Sequence, residues 1–90
     1  MPAMEITVQH KVGLHARPAA QFVKIASSFP CEIKVTNLTT LSVPANAKSI
    51  LGILSIGVQQ DHVIHVEASG ERADEALRQL RLLIENNFGE

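Results

Sequence analysis

The sequence predicts a single α+β domain, and three observations carry that prediction. The chain has 90 residues, the size of one domain with no room for a second, so we expect one domain over residues 1–90. Hydrophobic residues make up 46% of the chain, which favours a folded protein over a disordered one. Apolar positions alternate in some segments and recur at helical spacing in others, in the order βαββαβα. Such an order packs helices against a sheet as an open-faced sandwich.

The first strand and the first helix are both visible in the apolar pattern. Residues 4–9 alternate between apolar and polar, which indicates a half-buried strand, and residues 10–14 form a loop. From about Ala16, one helical face is apolar. Its members are Ala19, Phe22, Val23, Ala26 and Phe29. We expect the helix to end within residues 27–30, because Pro30 cannot continue it.

The middle of the chain predicts two strands and a short helix. Residues 32–36 alternate again, and residues 41–43 predict a short returning strand. Asn46 suits the N-cap of an apolar helix that runs from Ala47 to about Ile56. Gly57 then ends that helix, since glycine is the preferred residue after a helix C-terminus.

The last third predicts a strand and a long amphipathic helix. Residues 62–68 read as the strand, and Ser69 and Gly70 form a break. The helix that follows carries acidic residues in its first turns and basic residues later, as the helix dipole favours. Its apolar face consists of Ala73, Ala76, Leu77, Leu80, Leu83 and Ile84.

The segment GLHARPA at residues 13–19 is the most informative stretch for function. Pro18 suits a first helical turn, so His15 lies at the N-terminus of the first helix. The free backbone N–H groups of that turn favour an anion, and Arg17 adds a charge that fits phosphate geometry. A nucleophilic imidazole beside such a site predicts a histidine that carries a phosphoryl group. A solvated surface histidine and a solvated arginine are the ordinary alternatives.

Composition excludes several other classes of function. The net charge is −1, and three Phe are the only aromatic residues, which disfavours a general nucleic-acid or membrane-surface role. No signal peptide and no stretch of membrane-spanning length is visible. One cysteine cannot form an internal disulfide, which fits a reducing compartment. We therefore expect a cytoplasmic protein without membrane insertion.

The remaining histidines and the cysteine do not predict a metal site. His62 and His65 are three apart on a strand and point to opposite faces, and no Cys/His set has zinc spacing. Cys31 is expected in the core, and His10 as a solvated loop residue. No glycine-rich nucleotide loop is present. The sequence thus predicts no metal and no cofactor.

Two segments resemble the signatures of the HPr family, the histidine phosphocarriers of the bacterial phosphoenolpyruvate:sugar phosphotransferase system. GLHARPA resembles the family's active-site motif, and AKSILG at residues 47–52 resembles the motif around its regulatory serine. The resemblance runs from about Glu5 to Glu90. It implies an HPr-like open-faced sandwich, with a four-stranded antiparallel sheet and three helices on one face.

The resemblance also implies roles for the residues of the first motif. His15 would accept a phosphoryl group on Nδ1 from enzyme I and pass it to sugar-specific IIA domains. The phosphoryl oxygens would face the backbone N–H groups of Ala16 and Arg17 and the side chain of Arg17. The carrier is itself the reactant, so it is not a stand-alone catalyst and is called a transferase only by convention.

The second motif implies regulation and a docking surface. Ser49 falls in the first turn of the short helix, and in many family members a dedicated HPr kinase/phosphorylase modifies this serine. Four apolar residues in five cannot all face one core, so this helix either packs on two sides or exposes a docking patch. The family's shared interface for enzyme I and IIA domains maps onto Ala20, Lys24, Lys48, Ile50, Leu51 and Leu54.

Two alternatives to the sugar carrier stay open, and the chain departs from the family in two segments. A nitrogen-branch regulatory phosphocarrier would use the same histidine, whereas a non-catalytic interaction module would not need it. Residues 9–12 lack the small polar residue that is common two or three places before the histidine. Residues 37–46 are a few residues longer than in the common form and lack its Asn-Gly turn, and Pro44 favours an edge strand there. We expect a monomer, because a carrier must present His15 to successive partners.

Overall fold

A computed structural model describes residues 2–89 and confirms the α+β open-faced sandwich with the order βαββαβα. A short 3₁₀ turn follows the last helix. The elements are β1 (Ala3–Thr7), α1 (Ala16–Ser27), β2 (Glu32–Asn37), β3 (Ala45–Asn46), α2 (Ile50–Ser55), β4 (Val63–Ser69), α3 (Ala73–Glu85) and the turn Asn87–Gly89.

The four strands form one antiparallel sheet in the order β1-β4-β2-β3. Val66 of β4 lies opposite Met4 on one side and Val35 on the other, so the central strand places its apolar side chains in line with those of both neighbours. All three of these residues are buried, and Glu67, the next residue of β4, is turned to the other face. The sheet therefore has one face for the core and one open face.

The helices cover the apolar face of the sheet. Side chains of α1 and α3 at helical spacing supply the larger part of that layer, and α2 adds one fully buried residue. The buried helix residues are Pro18, Ala19, Phe22, Ala26, Ile53, Ala73, Ala76, Leu77, Leu80 and Ile84. Phe22 is completely buried, so the first turns of α1 rest on the core and do not project into solvent.

The predicted strand at residues 41–43 is wrong. Leu41 and Val43 are 83% and 78% exposed, and the strand that pairs with β2 is β3, two residues later. The position of β3 is set by its pairing with the edge of β2, where Val35 lies opposite Ala45. Two residues of pairing leave no local alternation in the sequence, which is why the pattern at 41–43 misplaced the strand. β3 does lie at an edge of the sheet, as Pro44 predicted.

The start of the second helix is also corrected. The sequence predicts Asn46 as the N-cap, whereas α2 begins three residues later with Ser49 as its N-cap. Asn46 Oδ1 instead accepts the backbone N–H of Lys48 at 2.9 Å, which closes a turn ahead of the helix. Ser49 is thus the capping residue and does not lie within the first turn.

The start of α3 is held by a charged pair. Arg72 precedes the helix with φ +64°, and its guanidinium donates two hydrogen bonds to Glu75, one of 2.7 Å. The hydrogen bond from Arg72 holds the pKa of Glu75 below its usual range, and the same bond raises the pKa of Arg72. The guanidinium also lies over the ring of Phe29, 4.9 Å from its centroid. This contact ties the end of α1 to the start of α3.

Candidate functional site

His15 is the N-cap residue of α1. Its backbone is extended, with φ −127° and ψ 161°, and its half-exposed side chain makes no capping hydrogen bond. The helical ladder begins with the bond from Ala19 N to His15 O at 3.5 Å. The N–H groups of Ala16 and Arg17 precede that bond, so no carbonyl within the helix is available to them. The imidazole and two backbone donors therefore share the helix N-terminus, and Arg17, whose side chain is exposed, is the second residue of that helix.

Ala16 has a strained backbone beside the histidine. Its φ of +51° falls in the left-handed region, which costs a residue with a side chain about 1–2 kcal/mol. Pro18, in the first turn of the helix, is buried and anchors the chain after Ala16. The sharp turn at Ala16 sets how His15 enters the helix, and no signal in the sequence predicts it.

The loop at residues 10–14, which we call the active loop because it leads to His15, is fixed to the loop between α2 and β4. Gly13 has φ +65°, and its N–H bonds to the carbonyl of His10 at 2.9 Å. Leu14 is fully buried and its N–H bonds to the carbonyl of Val58 at 3.0 Å. A Cβ on Gly13 would lie 2.1 Å from that same carbonyl oxygen. Glycine is therefore required here both for its φ and for the close approach of the two backbones.

His10 is buried, which corrects the expectation of a solvated loop residue. It is 7% exposed, and its ring meets the ring of Phe88 edge to face at 5.6 Å. Its Nδ1 accepts the backbone N–H of Val12 at 3.2 Å. The aromatic partner comes from the opposite end of the chain, so the local sequence around His10 holds no sign of the burial.

Ser49 and Lys48 bring the second motif against α1. Ser49 is half-buried, and its Oγ accepts the N–H of Gly52 at 3.1 Å. Lys48 is half-buried too, and its ammonium donates to the carbonyl of Phe29 at 2.6 Å. Lys48 was predicted to contact partners, and the structure uses its charge to join the start of α2 to the end of α1. The two helices pack side by side.

Three apolar side chains of α2 are exposed, and we call Ile50, Leu51 and Leu54 the apolar patch. Their exposed fractions are 40%, 76% and 37%, whereas Ile53 between them is fully buried. Of the two open accounts of this helix, the structure thus favours the exposed patch over packing on both sides. Ala20 and Lys24, the other residues predicted to contact partners, are exposed on α1.

Asn37 is a buried polar residue that sequence reasoning missed. It is fully buried at the end of β2, and its Nδ2 donates to the carbonyl of Ile56 at 3.0 Å. It also lies 3.1 Å from Nδ1 of His62, which accepts the N–H of Gln59. These bonds hold the loop whose Val58 carbonyl receives Leu14. The loop that holds Leu14, next to His15, is therefore itself anchored at the end of β2.

Within residues 2–89, no group of three or more histidine, cysteine or carboxylate side chains could hold a metal ion. His62 is held by Asn37, and His65 lies 3.8 Å from Glu5 on the open face of the sheet. None of the helices in this described range is long and apolar enough to cross a membrane.

Comparisons with known proteins agree with this geometry. The family model described as PTS HPr component phosphorylation site matches residues 3–86. The chain is 41% identical to the Phosphocarrier protein HPr of Pseudomonas aeruginosa, over 100% of this chain and 98% of that protein. The crystal structure of HPr-C-His from Thermoanaerobacter tengcongensis superposes with a TM-score of 0.94 at 46% identity, covering 100% of this chain and 98% of that one. A crystal structure described as an HPr dimer from the same organism gives a TM-score of 0.78 at 46% identity, with 100% of both chains covered.

Proposed function

This chain belongs to the HPr phosphocarrier family of the phosphotransferase system, and on that basis we propose that His15 accepts a phosphoryl group from enzyme I and passes it to IIA domains. The observation that carries the proposal is the half-exposed imidazole at the start of α1, beside two backbone N–H groups without a helical partner. A helix N-terminus stabilises an anion, and the guanidinium of Arg17 suits phosphate geometry. These are the groups that a phosphoryl group on His15 would meet.

The transfer needs little chemistry from the carrier itself. The lone pair of Nδ1 forms the N–P bond while the bond between phosphorus and the donor group of enzyme I breaks. The N–H groups of Ala16 and Arg17 and the Arg17 side chain then stabilise the charge on the phosphoryl oxygens. Transfer to an acceptor reverses the step, and the N–P bond breaks as the acceptor attacks phosphorus. Phosphoryl transfer depends mainly on positioning and charge stabilisation, which a bound partner completes.

The test is phosphorylation by enzyme I and phosphoenolpyruvate, measured as intact mass. We expect one acid-labile phosphate on the wild type and none on His15→Ala. His65→Ala is the matched control, because His65 is also half-exposed but lies on the open face of the sheet beside Glu5. That variant should take up phosphate as the wild type does. An unmodified wild type, or a phosphate that survives in His15→Ala, would refute the proposal.

We infer that partners dock on α1 and α2 around the histidine. The apolar patch is exposed hydrophobic surface that a bound partner would remove from water, and the exposed side chains of Arg17 and Lys24 give α1 positive charge. Opposite charges across an interface speed the encounter of two proteins, so this surface suits acidic partners. The carrier would do this work in the cytoplasm, where both enzyme I and IIA domains are available.

We further propose that phosphorylation of Ser49 by an HPr kinase/phosphorylase weakens this docking. The hydroxyl lies at the N-cap of α2, directly before Ile50 of the apolar patch. A phosphate adds close to two negative charges there, which would repel an acidic partner.

Two substitutions that both keep a helix-capping side chain, but differ in charge, test the effect of phosphorylation at Ser49. Ser49→Asp and Ser49→Asn both cap a helix, but only the first carries charge. We expect Ser49→Asp to raise the KM for enzyme I about fivefold through slower encounter, with Ser49→Asn close to wild type. Equal KM values for the two variants would show that charge at this position does not regulate docking.

A further inference from the structure

We propose that His10 is a positioning residue for phosphoryl transfer at His15, and that Phe88 holds it in place from the C-terminal end of the chain. The inference rests on the proposed function of His15. It assigns a role to a buried residue that the transfer chemistry does not itself use, and to a segment beyond residue 86, where the family match ends.

His10 closes the turn before the active histidine in two ways. Its ring nitrogen Nδ1 accepts the N–H of Val12 at 3.2 Å, and its backbone carbonyl accepts the N–H of Gly13 at 2.9 Å. The ring acts as an acceptor, so Nδ1 carries no proton in this arrangement. Both bonds lie within residues 10–13, so the side chain and the main chain of His10 stabilise the same turn.

This turn leads directly to the reacting group. After Gly13, only Leu14 precedes His15, and Leu14 is clamped by its bond to Val58. Loss of the hydrogen bond from Val12 to the His10 ring would change the angle at which Gly13 approaches Val58 in the loop between α2 and β4. Misplacement of a reacting group by about 1 Å can cost a hundredfold in rate, so small shifts here matter.

Phe88 is the contact that keeps the His10 ring in this position. It is 3% exposed, and its ring meets the imidazole at an interplanar angle of 87°. Edge-to-face contact is a favoured arrangement of aromatic rings and stabilises the pair beyond the area it buries. Asn87 and Phe88 both have positive φ, and the short turn that contains them is closed by a bond from Gly89 N to Asn86 O. The strained backbone at Asn87 and Phe88 thus places the Phe88 ring against His10 of the active loop.

Three variants separate positioning from packing. His10→Leu keeps an apolar side chain against Phe88 but removes the acceptor for Val12, and His10→Asn offers an oxygen acceptor in its place. Phe88→Ala removes the contact that orients the ring. Phe29→Ala is the matched control, because Phe29 is a similarly buried phenylalanine two residues beyond the C-terminus of α1.

The first readout is transfer from enzyme I measured in single turnovers over a range of enzyme I concentrations up to saturation. We expect His10→Leu and Phe88→Ala to lower the maximal rate about tenfold with little change in KM, and His10→Asn to recover most of the loss. Phe29→Ala should lose stability in urea without losing maximal rate. Maximal rates within twofold of wild type for both His10→Leu and Phe88→Ala would overturn the inference.

The second readout does not depend on phosphate at all. Amide hydrogen exchange, followed by NMR, should be faster at Val12 and Gly13 in His10→Leu and Phe88→Ala, and near wild type in His10→Asn. Unchanged exchange at these amides would also overturn the inference. If the wild-type protein took up no phosphate, the proposed function would fail, and the exchange data would still decide whether His10 and Phe88 hold the loop.

Discussion

Among single residues, Gly13 shows how closely the active loop is fitted to the rest of the molecule. Its positive φ alone would disfavour any other residue, but the carbonyl of Val58 also occupies the place where a Cβ would lie. Backbone atoms cannot move aside as a flexible side chain can. The glycine therefore fixes the distance between the active loop and the loop after α2.

Gly57 provides a matched comparison that separates these two effects. It has φ +57°, and apart from its chain neighbours no atom of residues 2–89 lies within 4 Å of where an added Cβ would be. We expect Gly57→Ala to cost about 1 kcal/mol from the left-handed backbone alone. Gly13→Ala should cost about 3 kcal/mol or more, since it adds a steric clash, and should also slow transfer at His15. Urea unfolding of both variants measures the difference, and equal losses would contradict the fitted loop.

Some residues of the candidate site could be predicted from the sequence, and others could not. Pro18 and the residues around it are local signals, so the helix start at His15 was predictable from a few neighbouring positions. His10 and Asn37 were not, because their burial depends on partners such as Phe88 and Ile56, which are far away in the sequence. A polar residue in a loop is exposed by default, and only the tertiary contact reverses that expectation.

Among the elements, the long ones were predicted well and the short ones were misplaced. The helices α1 and α3 and the strands β2 and β4 each contain enough apolar positions to define a period. β3 has two residues and is defined only by the strand it pairs with. For α2, the sequence predicted Asn46 as the N-cap, whereas the fold uses Ser49 to cap the helix and Asn46 to close the turn before it.

The exposed face of α2 carries the prediction that belongs to this scale. Leu51 is 76% exposed, so in the proposed docking it would be buried only by the partner. Leu51→Ser should lower kcat/KM for transfer from enzyme I about tenfold, which matches the roughly 1–2 kcal/mol gained by burying such a side chain.

Leu82→Ser is the control for Leu51→Ser, because Leu82 is 46% exposed on α3, outside the proposed interface. It should leave transfer unchanged. Both variants should unfold within about 0.5 kcal/mol of wild type, as exposed substitutions usually do. Equal losses of transfer in the two variants would show that the apolar patch has no special part in docking.

For the whole molecule, the two edges of the sheet decide whether copies of the chain can pair. At one edge, β3 offers only two residues and follows Pro44, which has no N–H to donate. At the other edge, the backbone of Val8 bonds to His62 and that of Ala68 bonds to Pro2. These bonds show that the backbone groups of even-numbered residues in β1 point toward β4. Backbone groups of Ala3, Glu5 and Thr7 therefore point outward, with Glu5 at the centre of β1.

Pairing of two β1 edges about a two-fold axis would place Glu5 opposite its own copy, and like charges directly opposite destabilise a sheet. The apolar patch consists of three side chains, too little surface for a stable dimer on its own. We therefore expect sedimentation equilibrium at micromolar concentration to give the mass of one chain. Glu5→Thr removes this repulsion between like charges, so we expect it to raise the dimer fraction at high concentration. A wild-type dimer at micromolar concentration would contradict the prediction, and it would direct attention to an exchange of elements, because neither edge supports simple addition.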